Sequence, residues 1–294
     1  MTTPTILTTH TLDVPGATLT YDVRGSLPAA GGHPPLLAIG QPMDASGFGT
    51  LASYLTDRTV VTYDPRGISR STRHDGGTTH DPEQQADDLH LLIEELGAGP
   101  VDLFGSSGGA VTGLALVARH PQDVRTLVAH EPPALSVLPD AAQAFAAARK
   151  VDETYAERGW GAGMAMFIAL TSWQGEFTSD FGDPAPDPAA FGLPAEDNGS
   201  RDDPLMSGAS AAVTAYRPDV EALRAAPTRV VIAAGIESKG ILTWRTSEAI
   251  AAALGTQLAV FPSNHGGFLG DEFGQPGEPE AFAARLREVL DGES

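Results

Sequence analysis

A strand, a glycine-rich turn and a helix follow one another around Ser107, and this segment constrains the chain most strongly. Residues 101–104 form an apolar run that predicts a buried strand, and residues 110–119 have the apolar content of a helix packed on a sheet. Between them, residues 105–109 read Gly-Ser-Ser-Gly-Gly and match the pattern G-x-S-x-G. That pattern needs a sharp turn in which the central serine is strained and its neighbours are small. We therefore predict that Ser107 is held as a nucleophile.

A second segment nearly matches the G-x-S-x-G pattern but lacks the strand that should precede it. Residues 208–212 read Gly-Ala-Ser-Ala-Ala, in an alanine-rich region with no predicted strand before them. Only the segment around Ser107 has strand, turn and helix in the order that the motif requires. In a chain with 33 glycines this order, rather than the pattern alone, supports the prediction.

Predicted strands and helices alternate along most of the chain. This alternation predicts an α/β fold, with a mostly parallel sheet and helices on both of its faces. Residues 11–14 and 17–24 predict an antiparallel hairpin at one edge. The alternation stops over residues 135–216, where two helices and a region rich in proline, aspartate and glycine follow. We predict one core domain, residues 1–134 and 217–294, interrupted by a mainly helical cap insertion, residues 135–216.

A serine hydroxyl needs a base within hydrogen-bond reach, and that base needs a carboxylate to orient it. Among the eight histidines, His265 follows the last predicted strand directly and precedes the final helix. Catalytic groups gather at the carboxyl ends of strands in an open α/β sheet, so His265 is the predicted base. His130 also follows a strand, but it precedes the insertion, and it is the alternative.

Two glutamates are candidates for the orienting carboxylate. Glu237 lies just past the predicted strand 229–234, and Glu131 lies just past the strand that ends at residue 129. Both therefore project from the same edge of a parallel sheet. We favour Glu237 and keep Glu131 as the alternative acid.

With these residues in place, the chain resembles the α/β-hydrolase fold superfamily, in its serine-nucleophile branch, over nearly its whole length outside the insertion. The order Ser107, Glu237, His265 is the order that the superfamily uses. Residues 39–42, Ile-Gly-Gln-Pro, resemble its His-Gly-x-Pro loop, which implies that the backbone N–H groups of Gln41 and Gly108 form an oxyanion hole. The insertion resembles the superfamily's cap.

One further segment carries the resemblance, and three positions depart from it. Residues 64–71, Asp-Pro-Arg-Gly-Ile-Ser-Arg-Ser, are similar to the superfamily's D-x-R-G-x-G-x-S loop. Ile39 stands where a histidine is usual and Ser69 where a glycine is usual. At the acid position, residues 237–238 are Glu-Ser where an aspartate is commoner, so the choice of acid stays open.

The resemblance implies a serine hydrolase that acts on a carboxylic ester or related small-molecule acyl substrate through an acyl-enzyme, with no metal or organic cofactor. Alternatives on the same fold are a cofactor-free perhydrolase or haloperoxidase-like enzyme, a C–C bond hydrolase, and a ligand-binding member without turnover. A dinucleotide-binding protein is disfavoured, because the glycines at positions 105, 108 and 109 do not give G-x-G-x-x-G.

Composition limits the partners and the compartment. The net charge is -20, from 38 acidic and 18 basic residues, which disfavours binding to nucleic acid or anionic membranes. The chain has no cysteine, no apolar run of about 18 residues and no basic, apolar start typical of a signal peptide. We expect a soluble cytoplasmic protein, and composition leaves its oligomeric state open.

Overall fold

The computed structural model describes residues 6–29, 32–274 and 276–292. Residues 1–5, 30–31, 275 and 293–294 of the predicted core domain lie outside the described residues. The expectation of no signal peptide rests partly on residues 1–5. The strands are β1 (Leu7–Val14), β2 (Ala17–Arg24), β3 (Leu36–Ile39), β4 (Val60–Asp64), β5 (Thr72–Arg73), β6 (Val101–Ser106), β7 (Val124–His130), β8 (Arg229–Gly235) and β9 (Ala259–Phe261).

These strands form one sheet with the order β1-β2-β4-β3-β6-β7-β8-β9, and β5 pairs with β2. The pairs from β4 through β3, β6, β7 and β8 to β9 are parallel. The pairs that β2 makes with β1, β4 and β5 are antiparallel. The predicted α/β fold and its antiparallel edge hairpin are confirmed, although β1 begins at Leu7, four residues earlier than the sequence predicts.

The helices connect the strands. They are α1 (Gly49–Tyr54), α2 (Pro82–Leu96), α3 (Gly108–Arg119), α4 (Ala141–Arg158), α5 (Trp160–Ser172), α6 (Ala211–Ala215), α7 (Val220–Ala225), α8 (Leu242–Leu254) and α9 (Pro279–Asp291). Single turns of 3-10 helix cover Ala45–Phe48, Leu135–Val137, Pro188–Phe191 and Ile236–Ser238. Within the described ranges, no helix is long and apolar enough to cross a membrane.

Local sequence accounts for the bounds of α2. The Asp81 side chain accepts a hydrogen bond from the Glu83 N–H, Pro82 occupies the first turn, and Gly97 ends the helix in a left-handed conformation with φ 60°. Its apolar side chains recur every three or four residues and are buried against the sheet: Leu89, Leu92, Ile93 and Leu96.

The sheet is buried on both faces, as a parallel sheet between helices must be. In β3 all four residues are buried. Leu37 and Ile39 join the core cluster that contains α2 and α3, whereas Leu36 and Ala38 join the cluster that contains α1 and α9. The alternation of side chains along a strand therefore divides the core between the two faces.

The segment between β7 and α7 has a hydrophobic cluster of its own. The apolar side chains of α4 and α5 meet those of the following loop there, including Met166, Phe177 and Phe181. Leu135 and Leu138 from its start and Leu242 from α8 belong to the same cluster, so the segment packs onto the rest of the chain through them.

Candidate active site

Ser107 occupies the strained turn that its motif predicts. β6 ends at Ser106 and α3 begins at Gly108, and Ser107 between them has φ 56° and ψ −126°. Its N–H donates to the carbonyl of His130 at 2.9 Å, and its own carbonyl accepts from the Ala110 N–H at 2.9 Å. A non-glycine residue keeps such a conformation only where its surroundings enforce it, and such positions cluster at functional sites.

Close backbone approaches explain the glycines around Ser107. A Cβ atom on Gly109 would lie 2.3 Å from the carbonyl oxygen of Ile39, and one on Gly105 would lie 2.6 Å from the carbonyl oxygen of Gly109. A Cβ on Gly108 would lie 2.7 Å from the carbonyl oxygen of Gln41. The turn therefore fits only when these three positions lack a side chain.

The same contacts bring the two predicted oxyanion residues together. Gln41 follows β3, the strand that pairs with β6, and its backbone lies against Gly108. Gly108 is in the first turn of α3, where backbone N–H groups have no partner within the helix. The partial positive charge at that helix end favours an anion at the same place.

His265 contacts a buried carboxylate. Its Nδ1 lies 2.6 Å from Oε2 of Glu131, whose side chain is fully buried, whereas the His265 side chain is 42% exposed. Glu131 directly follows β7 with φ 52°, a conformation that turns it inward from the end of the strand. Its Oε1 accepts from the Gly235 N–H at 2.9 Å, and its Oε2 accepts from the Thr243 hydroxyl at 2.6 Å.

These partners keep Glu131 ionised. Burial by itself would raise the pKa of the Glu131 carboxyl, but the hydrogen bond and the charge interaction with His265 outweigh burial and hold that pKa well below its usual range. A carboxylate accepts and cannot donate, so His265 places its proton on Nδ1. The other ring nitrogen, Nε2, is then free to act as a base.

The structure places Glu131, and not the favoured Glu237, in contact with His265. Glu237 lies in the 3-10 turn after β8 with its side chain exposed, and it accepts from Asn264 Nδ2 at 3.3 Å and Ser263 Oγ at 3.5 Å. The end of β8 contributes the backbone N–H of Gly235, which donates to the Glu131 carboxylate. The alternative acid, Glu131, is the one in contact with His265.

His130, the alternative base, is packed behind the site. Its ring is fully buried, and the rings of Phe104, Phe261, Phe268 and Phe282 lie 5.2 to 6.4 Å away, measured between centroids. Burial lowers the pKa of His130 to about 4, so the ring is neutral at pH 7. Its centroid is 6.2 Å from that of His265, which places the His265 ring next to the strand end that holds Ser107.

The structure shows no direct hydrogen bond between Ser107 and His265 in the described part of the chain. They are linked through β7, because the Ser107 N–H binds the His130 carbonyl and the next residue, Glu131, binds His265. Hydrogen bonds between a nucleophile and its base often tighten only when substrate is bound.

Asp64, the last residue of β4, connects the segment after β3 with the loop after β4. The buried carboxylate of Asp64 accepts from the Ala45 N–H at 3.0 Å, and from the Arg70 N–H at 3.0 Å and its Nε at 2.7 Å. Ser69 has φ 49°, a conformation that glycine adopts without strain, which explains why a glycine is usual at this position in the superfamily. Beside Pro42 and this loop lies a cleft of about 1010 Å³, which is also lined by Arg201, Asp202, Pro204 and residues 207–209.

One cluster outside the site has the residue types of a metal site. His90, His120 and Asp123 each offer a ligand atom, and these atoms lie within 4.8 Å of one another. The two imidazole rings, however, stack 4.1 Å apart and nearly parallel, at 4°. A metal ion lies in the plane of each imidazole that binds it, so one ion cannot suit both rings as they stand. The rings instead bond to carboxylates, His90 to Asp123 and His120 to Asp87.

Comparisons with known proteins agree with this architecture. A family model for the alpha/beta hydrolase fold matches residues 40–195. The uncharacterized hydrolase YraK of Bacillus subtilis is 31% identical over 96% of both chains. A thermophilic esterase from Thermogutta terrifontis superposes with a TM-score of 0.63 at 22% identity, over 97% of this chain and 98% of the other. The enol-lactonase from Burkholderia xenovorans gives 0.63 at 18% identity, over 96% and 100%.

The buried ring of His130 predicts a specific pH dependence of stability. Its pKa falls from an ordinary value of 6.5 to about 4 in the folded protein, so below pH 6.5 the unfolded chain takes up a proton that the folded chain does not. The contribution of neutral His130 to the free energy of unfolding is therefore lost as the pH falls from 6.5 towards 4. Between pH 7 and pH 5 we expect the loss to be about 2 kcal/mol.

Urea unfolding at both pH values measures this loss. The His130→Asn variant should be less stable at pH 7, but its free energy of unfolding should fall by about 2 kcal/mol less than that of the wild type on going to pH 5. The exposed His74 is the matched control, and His74→Asn should keep the wild-type dependence. An equal loss in His130→Asn and wild type would show that His130 titrates normally.

Proposed function

The chain belongs to the α/β-hydrolase fold family, and from this premise we propose that it is a serine hydrolase that cleaves a carboxylic ester or a related acyl substrate through an acyl-enzyme. The observation that carries the proposal is the contact of 2.6 Å between His265 Nδ1 and the buried Glu131 carboxylate. It supports His265 as the base, because the contact leaves Nε2 unprotonated and able to accept a proton.

The first step acylates Ser107. His265 Nε2 takes the proton from the Ser107 hydroxyl as Oγ forms a bond to the substrate carbonyl carbon, and Glu131 stabilises the imidazolium that results. The carbonyl oxygen becomes an oxyanion, which accepts hydrogen bonds from the backbone N–H groups of Gln41 and Gly108. Each such donor contributes about 3 kcal/mol to stabilising the transition state.

The second half of the reaction regenerates the enzyme. The tetrahedral intermediate collapses, the bond to the leaving group breaks, and His265 returns its proton to the departing oxygen. A water molecule then loses a proton to His265 Nε2 and attacks the acyl carbon. The bond to Ser107 Oγ breaks, Oγ recovers the proton, and the carboxylic acid leaves.

We place the substrate beneath the predicted cap, residues 135–216. Supporting this, the hydrophobic cluster of the insertion includes Leu242 of the core, so the insertion packs against the core. Six large apolar side chains of the insertion pack in or against that cluster: Met164, Met166, Phe167, Trp173, Phe177 and Phe181. These side chains therefore contribute to the packing of the insertion.

A panel of esters, lactones, thioesters and amides tests the proposed function. Wild type should hydrolyse at least one acyl class, and Ser107→Ala should reduce kcat/KM by at least about a thousandfold, because the nucleophile is lost. The neighbouring Ser106 is the matched control, since it is buried within β6, and Ser106→Ala should retain most of the activity. Turnover by Ser107→Ala at the wild-type rate would refute the proposal.

The two glutamates give a separate test of the acid. Glu131→Gln puts an amide where His265 needs a carboxylate, so kcat should fall by about 10² to 10⁴ while KM changes little. Glu237→Gln alters an exposed side chain and should keep the wild-type kcat. Steady-state kinetics on the best substrate of the panel measures both variants. Loss of activity in Glu237→Gln with a normal Glu131→Gln would reverse the assignment.

A further inference from the structure

The first turn of α8 contacts the carboxylate that binds His265. Thr243, the second residue of this helix, is 8% exposed, and its hydroxyl donates to Oε2 of Glu131 at 2.6 Å. His265 Nδ1 contacts the same oxygen, also at 2.6 Å. Rotation of the Glu131 side chain would carry this oxygen away from the imidazole ring, and the bond from Thr243 opposes that rotation. The position of Oε2 beside His265 therefore depends on where Thr243 lies.

The same turn of α8 is bound to the predicted insertion, residues 135–216. Arg245, two residues after Thr243, donates from Nη1 to the Gly175 carbonyl at 2.7 Å and to the Asp140 carboxylate at 3.3 Å. Its Nη2 bonds to the other oxygen of that carboxylate. The side chains of Arg245 and Asp140 are only 12% and 6% exposed. Breaking such a pair is costly, because it leaves a buried charge without its partner.

Asp140 is held from the side of the insertion as well. Its carboxylate also accepts from the Phe177 N–H at 2.7 Å. Burial by itself would raise the pKa of the Asp140 carboxyl, but the hydrogen bonds from Arg245 and from the Phe177 N–H outweigh burial and hold that pKa below its usual range. Beside this pair, the Gly175 N–H donates at 2.9 Å to the carbonyl of Gly240, just before α8. Backbone and side-chain bonds therefore join the insertion to the start of α8.

We propose that Thr243 and Arg245 are positioning residues for the active site: Thr243 holds the Glu131 carboxylate against His265, and Arg245 holds Thr243 in place by binding the first turn of α8 to the insertion. This role rests on the proposed serine hydrolase function. Neither residue touches the substrate or the reacting atoms. Turnover then depends on how the insertion packs on α8, in addition to any contact that the insertion makes with the substrate.

Steady-state kinetics on the best acyl substrate tests Thr243. Thr243→Val keeps the shape of the side chain and removes the hydroxyl, so kcat should fall by about 10-fold with KM within about twofold, because Glu131 and His265 are then less well aligned. Thr243→Ser keeps the hydroxyl and should retain most of the wild-type kcat. Wild-type kcat in folded Thr243→Val, or a Thr243→Ser variant as slow as Thr243→Val, would overturn the role of this hydroxyl.

Arg245→Met tests the connection to the insertion without altering Thr243. Alone it should lower kcat by about three- to 10-fold with little change in KM. Combined with Thr243→Val it should lower kcat no further than Thr243→Val does, because it acts through Thr243. Arg224→Met serves for comparison, since Arg224 donates to the Ala253 carbonyl near the other end of the same helix. That variant should keep the wild-type kcat.

The outcomes separate this inference from the proposed function. Additive losses in the double variant, or an equal loss in Arg224→Met, would overturn the role of Arg245 while an active wild type upholds the function. Labelling of Ser107 by a fluorophosphonate probe measures the same alignment without a substrate, and it should slow in Arg245→Met but not in Arg224→Met. If Thr243→Val does not fold, as judged by circular dichroism, Arg245→Met carries the test. A wild type that neither hydrolyses an acyl substrate nor is labelled would refute both proposals.

Discussion

The contact between Glu131 and His265 is the interaction on which the rest of the site depends. A fully buried carboxylate is stable only when partners compensate for its lost hydration, and Glu131 has three: the His265 ring, the Gly235 N–H and the Thr243 hydroxyl. These partners come from the loop after β9, the end of β8 and the start of α8. One charged group therefore binds three segments that all lie more than 100 residues from it in sequence.

The strand order explains how the other half of the site forms. β6 lies between β3 and β7, so the loop after β3 approaches Ser107 from one side and the end of β7 approaches it from the other. The first neighbour brings Gln41, and the second brings the His130 carbonyl and Glu131. The glycines at 105, 108 and 109 allow these backbones to meet. The residues proposed as nucleophile, oxyanion donors and base are thus brought together by the topology of a parallel sheet.

Much of this arrangement could be predicted from local sequence. Strand, glycine-rich turn and helix predict the strained position of Ser107, and the position of His265 after the last strand brings it to the same edge. The choice of acid could not be predicted in the same way. Glu131 and Glu237 both follow neighbouring parallel strands, and what separates them is the inward turn at Glu131, with φ 52°. Nothing in the sequence around Glu131 indicates that conformation.

The buried hydrogen bond from the Thr112 hydroxyl to Gln85 Oε1 also could not be predicted from the sequence. Each residue looks ordinary on its helix, a glutamine on α2 and a threonine on α3, and only the packing of these helices on the sheet brings the two side chains together. Burial is the informative property here, because a polar group in the core must have a reason to be there.

The most direct measurement of the central claim is peptide mass mapping after reaction with a fluorophosphonate probe, which forms a covalent bond with an activated serine. The account predicts a single adduct on Ser107 in folded wild type, none on the adjacent Ser106, and much slower labelling in Glu131→Gln, because His265 then loses its ionised partner. Folded protein that gains no adduct at Ser107, or labels at the same rate without the Glu131 carboxylate, would contradict it.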